Sequence, residues 1–245
     1  MSAMHAQGLQ LAIFADPDLE LWGIAAIDQQ AGLAAGGLHA GMLDPTPVDV
    51  AIDGDTWSLH GSGCELLVTS TPTGSATPAA TPIEHCQVLG TLALDGATRK
   101  LRGTGIRTAV GLAQDGGSMR LFGSWFPAGQ ELGVLALRRP GASSGEGDEI
   151  SVTARGEEQP LVLDPRLSTT YNSAGEPVRV GIELWLGESE DDEEGLRGRR
   201  VAGRAGGASV SIGALRAYAF ECVTRGEPGT GVYVLADPLS KPAKA

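Results

Sequence analysis

Positive charge is scarce in this sequence: 18 Lys and Arg stand against 30 Asp and Glu, a formal net charge of −12. Such a field repels phosphate backbones, whose binding leans on Lys and Arg, so nucleic acid is excluded as a partner and anionic membrane surfaces are disfavoured. Long apolar runs are missing as well. None approaches the roughly 20 residues of a spanning helix, so no membrane span is expected. Cysteine is confined to Cys64, Cys86 and Cys222. That odd number, with no Cys-x-x-Cys spacing, fits reduced and buried thiols better than a disulfide framework. The first residues lack the basic start and unbroken apolar core of a secretory signal, because Asp16, Asp18 and Glu20 follow Phe14 closely, and a cytoplasmic location is the expectation.

What is abundant is punctuation. The 36 glycines and 14 prolines are spread along the whole chain, so they divide it into many short segments instead of forming a linker or a collagen-like repeat. Hydrophobic runs of strand length recur between them, and few windows carry apolar residues at helical spacing. The run from Ile83 to Leu94 and the alternating Glu149–Ala154 are examples. Asp53-Gly54, Asp95-Gly96 and Asn172-Ser173-Ala174-Gly175 supply hairpin chemistry. The pattern predicts an all-β chain of about sixteen antiparallel strands with no crossover helices. The Gly- and Ser-rich stretch Pro140–Asp148 divides it into two expected units, residues 1–140 and 149–245. A faint echo between Val88–Arg107 and Val180–Val201 suggests related halves. The block Glu190-Asp191-Asp192-Glu193-Glu194 reads as a solvated hairpin tip.

Gly103-Thr104-Gly105-Ile106-Arg107 followed by Met119–Phe126, then Gly181–Leu186, Arg200–Gly203 and Gly226–Tyr233, resembles the twin lipocalin-like β proteins that include carotenoid 1,2-hydratases and tocopherol cyclases. The resemblance spans nearly the whole chain on short, glycine-dominated motifs. It implies two lipocalin-like antiparallel half-barrels or sandwiches packed together, with room for an isoprenoid-like ligand. One departure bears on chemistry: where the family continues past its arginine with an Asp-His-Ser-Trp-Gly-like run, Thr108-Ala109-Val110-Gly111-Leu112 stands here. Fold transfers more readily than activity across such a change.

Several side chains are candidates for function. Protonating an isoprenoid alkene requires a carboxylic acid in an apolar pocket, where desolvation keeps it protonated. Glu183 and Glu221 lie within apolar strand sequences and are the catalytic candidates; strand alternation also permits a solvent-facing position for each. Trp22, Trp57, Trp125 and Trp185, with Arg107, are the candidates for lining a ligand cavity, against the alternative of ordinary core packing for the tryptophans. His60, Cys64, His85 and Cys86 offer zinc-ligand chemistry, but neighbours in a strand point to opposite faces, so no metal site is expected. Gly61-Ser62-Gly63 reads as a turn, and Gly103-x-Gly105 lacks the third glycine and following helix of a dinucleotide site, so no cofactor is expected. Three functions stay open. The first is non-catalytic binding of a hydrophobic, lipid- or isoprenoid-like molecule. The others are acid-catalysed hydratase or cyclase chemistry and an interaction scaffold without a pocket.

Overall fold

The computed structural model describes residues 8–27, 30–71, 75–76, 82–110, 117–127, 129–138, 148–156, 161–187 and 197–236. Among these the chain is β throughout, apart from one 3₁₀ turn, Pro17–Leu19. The strands in order are β1 Leu9–Asp16, β2 Leu21–Ile27, β3 Ala31–Gly37, β4 Met42–Leu43, β5 Thr46–Asp53, β6 Thr56–Gly61, β7 Cys64–Ser70, β8 Ser75–Ala76 and β9 Ile83–Leu94. They continue with β10 Ala97–Val110, β11 Ser118–Trp125, β12 Glu131–Arg138, β13 Glu149–Arg155, β14 Leu161–Tyr171, β15 Pro177–Gly187, β16 Arg197–Ile212, β17 Leu215–Thr224 and β18 Glu227–Ala236.

Eight of them close a barrel in the order β1-β10-β9-β7-β6-β5-β3-β2. Every neighbouring pair is antiparallel, and the register follows from hairpin turns, such as the Asp95-Gly96 joint between β9 and β10. The second sheet runs β14-β15-β16-β17-β18-β11-β12-β13-β8, with β4 added in parallel to β16. The fold is therefore two barrel-like antiparallel sheets. Short arms of the first half, β4 and β8, are stitched into the second.

The sheets change over between β10 and β11. Strands β11 and β12 precede Pro140, yet they pair at the centre of the second sheet. Strands β12 and β13 are antiparallel neighbours in that sheet, and residues 140–147 of the expected dividing stretch lie outside the described residues. Two other expectations shift in extent. The run Val210–Val223 is two strands split by a turn at Gly213-Ala214, and β14 continues through Asp164–Tyr171, where alternating polar residues hid it. The acidic block Glu190–Glu194 lies outside the described residues.

Burial resolves into three layers. Inside the closed barrel lie Phe14, Trp57, Leu59, Leu66, Val88 and their neighbours, filling it as eight-stranded barrels are commonly filled. The second sheet wraps its own core, in which the rings of Phe122, Phe220 and Tyr233 stand 5.9–6.3 Å apart in edge and tilted contacts. Between them runs a seam. Leu9, Leu11 and Ile13 of β1, with Trp22 and Ile24 of β2, face Met119, Leu121, Ala217, Val232 and Val234 of the second sheet. Strand β9 approaches β12 and β13, β1 approaches β11 and β18, and β3 approaches β16.

Close strand approach depends on glycine at particular points. Gly90 of β9 has φ +148°, and a Cβ placed there would sit 1.9 Å from the Glu65 carbonyl oxygen of β7. Gly96, also at positive φ, faces open space. Replacing Gly90 by Ala should therefore cost about 2–4 kcal/mol of stability and Gly96 by Ala about 1 kcal/mol, read as the difference in urea midpoints at unchanged m-value.

Candidate functional site

Two of the residues singled out by sequence come together inside the first barrel. Arg107 of β10 lies over the ring of Trp57 of β6, 5.4 Å from its centroid. Its Nε donates to Glu84 Oε2 at 3.0 Å and its Nη1 to the Asp55 carbonyl at 2.6 Å, while Ser70 Oγ donates to the same Glu84 oxygen at 2.8 Å. The guanidinium is buried and held from several sides, so this end of the barrel is fastened by a charged network with a cation–π lid.

The other candidates are dispersed. Trp22 is buried in the seam, its indole donating to the Gly37 carbonyl at 3.1 Å, and Trp125 is buried elsewhere in the same layer. Trp185 sits on the outer face of the second sheet, across from Gly198 and 40% exposed. Glu183, on that face too, pairs at 3.7 Å with Arg200 on the neighbouring strand. Glu221 contacts His39 at 3.4 Å, near the carbonyl of Gly206. Both carboxylates are about half exposed, 48% and 49% for the side chains. Both lie on faces open to solvent.

The buried acid lies elsewhere. His85 on β9 and Glu131 at the start of β12 meet across the seam, Nδ1 to Oε2 at 2.9 Å, with side chains 0% and 6% exposed. Neither atom completes a hydrogen bond, and Nε2 of the imidazole has no partner either. Arg155 of β13, directly opposite Glu131 in the sheet, brings Nη1 to 3.9 Å from Oε1. Its Nη2 also contacts Thr71 of the first half.

The local reason is strand alternation. In β13 the residues Ile150, Val152 and Ala154 turn into the second sheet's core, which sends Glu149, Ser151, Thr153 and Arg155 to the opposite face. That polar face meets β9 instead of solvent. Ser151 and Thr153 are buried in consequence. Two sequence features mark this place: the adjacent His85-Cys86, whose residue types suit a metal as well as a proton transfer, and the polar positions of β13, which resemble any solvent-facing row. Cys86 points into the first barrel while His85 points out of it, as alternation requires. Among the described residues no cluster of three metal-ligating side chains occurs.

At the far edge of the seam, beside β3 and β16, a cleft of about 830 Å³ opens between Leu9, Ala26, Gly32, Pro47, Ile212 and Leu215. None of the described residues lining it is ionisable. Its volume is within the range of small-molecule sites.

A third polar group closes one end of the second sheet's interior. Asp148 accepts two hydrogen bonds from Arg138, at 2.9 and 3.3 Å, and another from Arg120. Burial pushes its carboxyl up, but the hydrogen bond from Arg138 and the charges of both arginines outweigh this and hold it below the usual carboxylate range. Tyr233 is pushed above the ordinary phenol range by burial, with its hydroxyl 2.7 Å from Thr169 Oγ1.

No family model and no curated protein matches this chain. Solved structures do. CghA, crystallised with Sch210972, superposes with a TM-score of 0.61 at 11% identity over 94% of this chain and 88% of its own. Kievitone hydratase from Nectria haematococca gives 0.57 at 12% identity over 94% and 89%. A protein crystallised under the name AttH from Nitrosomonas europaea gives 0.56 at 11% over 98% and 95%. At such identities the likeness is one of fold, and it agrees with the geometry above: the chain is an all-β protein of the twin lipocalin-like barrel kind. Among the described residues no helix is long and apolar enough to cross a membrane.

All three thiols are buried. Desolvation raises Cys64 to about 11 and Cys86 to about 12, and lifts Cys222 as well. Thiolate is thus scarce at pH 8. A disulfide-exchange reagent should label none of the three in the native protein within minutes and all three after unfolding in urea.

Proposed function

We propose that the protein is an acid–base enzyme of the hydratase or cyclase kind, acting on a largely apolar small molecule at the seam, with His85 and Glu131 as the proton-transferring pair. The observation that carries this reading is the 2.9 Å contact between two buried side chains, each with an unsatisfied polar atom, at the margin of an apolar layer. An imidazole and a carboxylate at hydrogen-bonding distance can pass a proton between them, and apolar surroundings strengthen their action on a developing charge. Arg155 steadies the carboxylate from its other oxygen. The motif resemblance to carotenoid 1,2-hydratases and the shared fold with kievitone hydratase support the same class of chemistry. In this arrangement the acid role expected of Glu183 or Glu221 passes to the buried pair.

Assay of isoprenoid alkenes and prenylated phenols, kievitone among them, by chromatography and mass spectrometry tests it. The wild type should convert at least one. His85→Gln and Glu131→Gln should lose about 10²–10⁴-fold in kcat while keeping native circular dichroism. Full activity in either folded variant would remove the pair from the mechanism.

The 830 Å³ cleft favours a second reading, non-catalytic carriage of a neutral hydrophobic molecule. Retinol fluorescence is a suitable probe. Saturable binding that Ala214→Trp abolishes and His85→Gln leaves intact would support carriage in the cleft; binding unaffected by Ala214→Trp would exclude it.

A further inference from the structure

We infer that Trp125 and Thr153 hold a water molecule beside His85 and Glu131, and that this water is what the enzyme adds to its substrate or removes from it. The inference rests on the acid–base reading above and assigns its co-reactant.

Several buried side-chain atoms without a hydrogen-bond partner lie on the seam-facing side of neighbouring strands, apart from Ser124 Oγ on the other face of β11. His85 Nδ1 and Nε2, Trp125 Nε1, Glu131 Oε2, Glu149 Oε1 and Thr153 Oγ1 are all unpaired, and all project from seam-facing positions of β9, β11, β12 and β13. Trp125 stands directly opposite Glu131 in the sheet, and Thr153 stands opposite Gly133, two residues further along β12. Such positions put Trp125 and Thr153 each within about 5–8 Å of Glu131, on either side of it, and the Trp125 ring leans over Gly123, the residue opposite Gly133, where a Cβ would meet its Cη2 at 2.6 Å. A Cβ on Gly133 would lie 2.9 Å from Thr153 Cγ2 and 2.6 Å from Ile106 Cδ1, so the methyl of Thr153 is packed against the glycine.

The chemistry of these orphans selects the occupant. An indole N–H can only donate, whereas an ionised carboxylate can only accept. A partner serving both must donate and accept at once, and it must be small enough for a packed layer. Water fulfils this, and about three hydrogen bonds are typical for a buried one. Each polar atom left unpaired would otherwise carry an uncompensated desolvation cost. Trp125 and Thr153 are thus positioning residues: they fix the oxygen while His85 and Glu131 exchange protons with it. In hydration an O–H bond of water and the carbon–carbon π bond break while C–O and C–H bonds form. The proton reaching carbon comes from the His85–Glu131 pair, and the one leaving the water restores it. Dehydration is the reverse, and neither direction needs an oxidant or a reductant.

Water–indole Overhauser contacts, measured on protein labelled with ¹⁵N at tryptophan, read the site without substrate, and high-resolution crystals read it directly. The wild type should show a water contact at the Trp125 indole and an ordered oxygen within about 2.7–3.2 Å of Trp125 Nε1. Thr153→Val should lose both and Thr153→Ser should keep both. With an alkene that the enzyme converts, Thr153→Val should lower kcat at least about tenfold at unchanged KM, and labelled solvent oxygen should enter the product. A seam in which the indole bonds Glu131 directly overturns the water site, as does an oxygen that persists unchanged in Thr153→Val. If the water is found and His85→Gln still turns over normally, the acid–base reading fails while the water site stands.

Discussion

Burial of β1 and β2 on both faces is the constraint on which the rest of this structure depends. Their inward residues, Ala12, Phe14, Leu21 and Ala25, fill the first barrel. Their outward residues, Leu9, Leu11, Ile13, Trp22 and Ile24, fill the seam. A lone barrel would expose that second set to water, and each such side chain fully removed from water contributes roughly 1.5–3 kcal/mol. The second sheet is the cover, and β4 and β8 bind the two halves at their margins through backbone hydrogen bonds. The seam is thus a hydrophobic core shared by two sheets, and whatever polar group lies in it is there at a cost that other contacts must offset.

The seam is not uniform. Its middle is aliphatic and aromatic. Beside β9, β12 and β13 it becomes polar, with His85, Glu131 and Thr153 buried and Arg155 partly buried at its margin. Beside β3 and β16 it opens into an apolar cleft. Unsatisfied buried polar atoms are rare in folded proteins and call for a specific explanation. Here several of them belong to or flank one histidine–glutamate contact at the edge of a large apolar surface. That pairing of a reactive group with a greasy wall suits chemistry on hydrocarbon-like substrates, in which charge develops away from bulk water. The filled interior of the first barrel, by contrast, is fastened at one end by Arg107, Glu84 and Trp57, and its polar groups are committed to each other.

Much of the architecture was legible. Strand β9 coincides with the predicted run Ile83–Leu94, because apolar residues bounded by turn chemistry leave little choice for a chain segment of that length. Hairpin pairing followed from Asp95-Gly96 and Asn172–Gly175. Boundaries were harder wherever polar residues alternate through a strand, as in β14. The change of sheet between β10 and β11 leaves no mark in composition, since both strands look alike from within. Arg107 and Trp57, singled out by residue type and motif as ligand-lining candidates, lie together in the structure. Glu131 was passed over because it stands at the edge of the apolar run Leu132–Arg138, the position of an ordinary solvated strand end.

Local periodicity and turn residues, acting over a few neighbours, determined that this chain would be β and antiparallel, and the scarcity of Lys and Arg set its charge. Those features depend only on near neighbours in the chain. The burial of a polar row does not. Glu149, Ser151, Thr153 and Arg155 have the same alternation whether the face they share meets solvent or another sheet. Only the packing of β9 on β12 and β13 decided that it meets His85. In the same way Glu183 and Glu221, embedded in apolar sequence, stayed in water because no sheet covers their face completely. Burial depends on residues far apart in the chain, and burial is what separates a solvated carboxylate from one able to do chemistry.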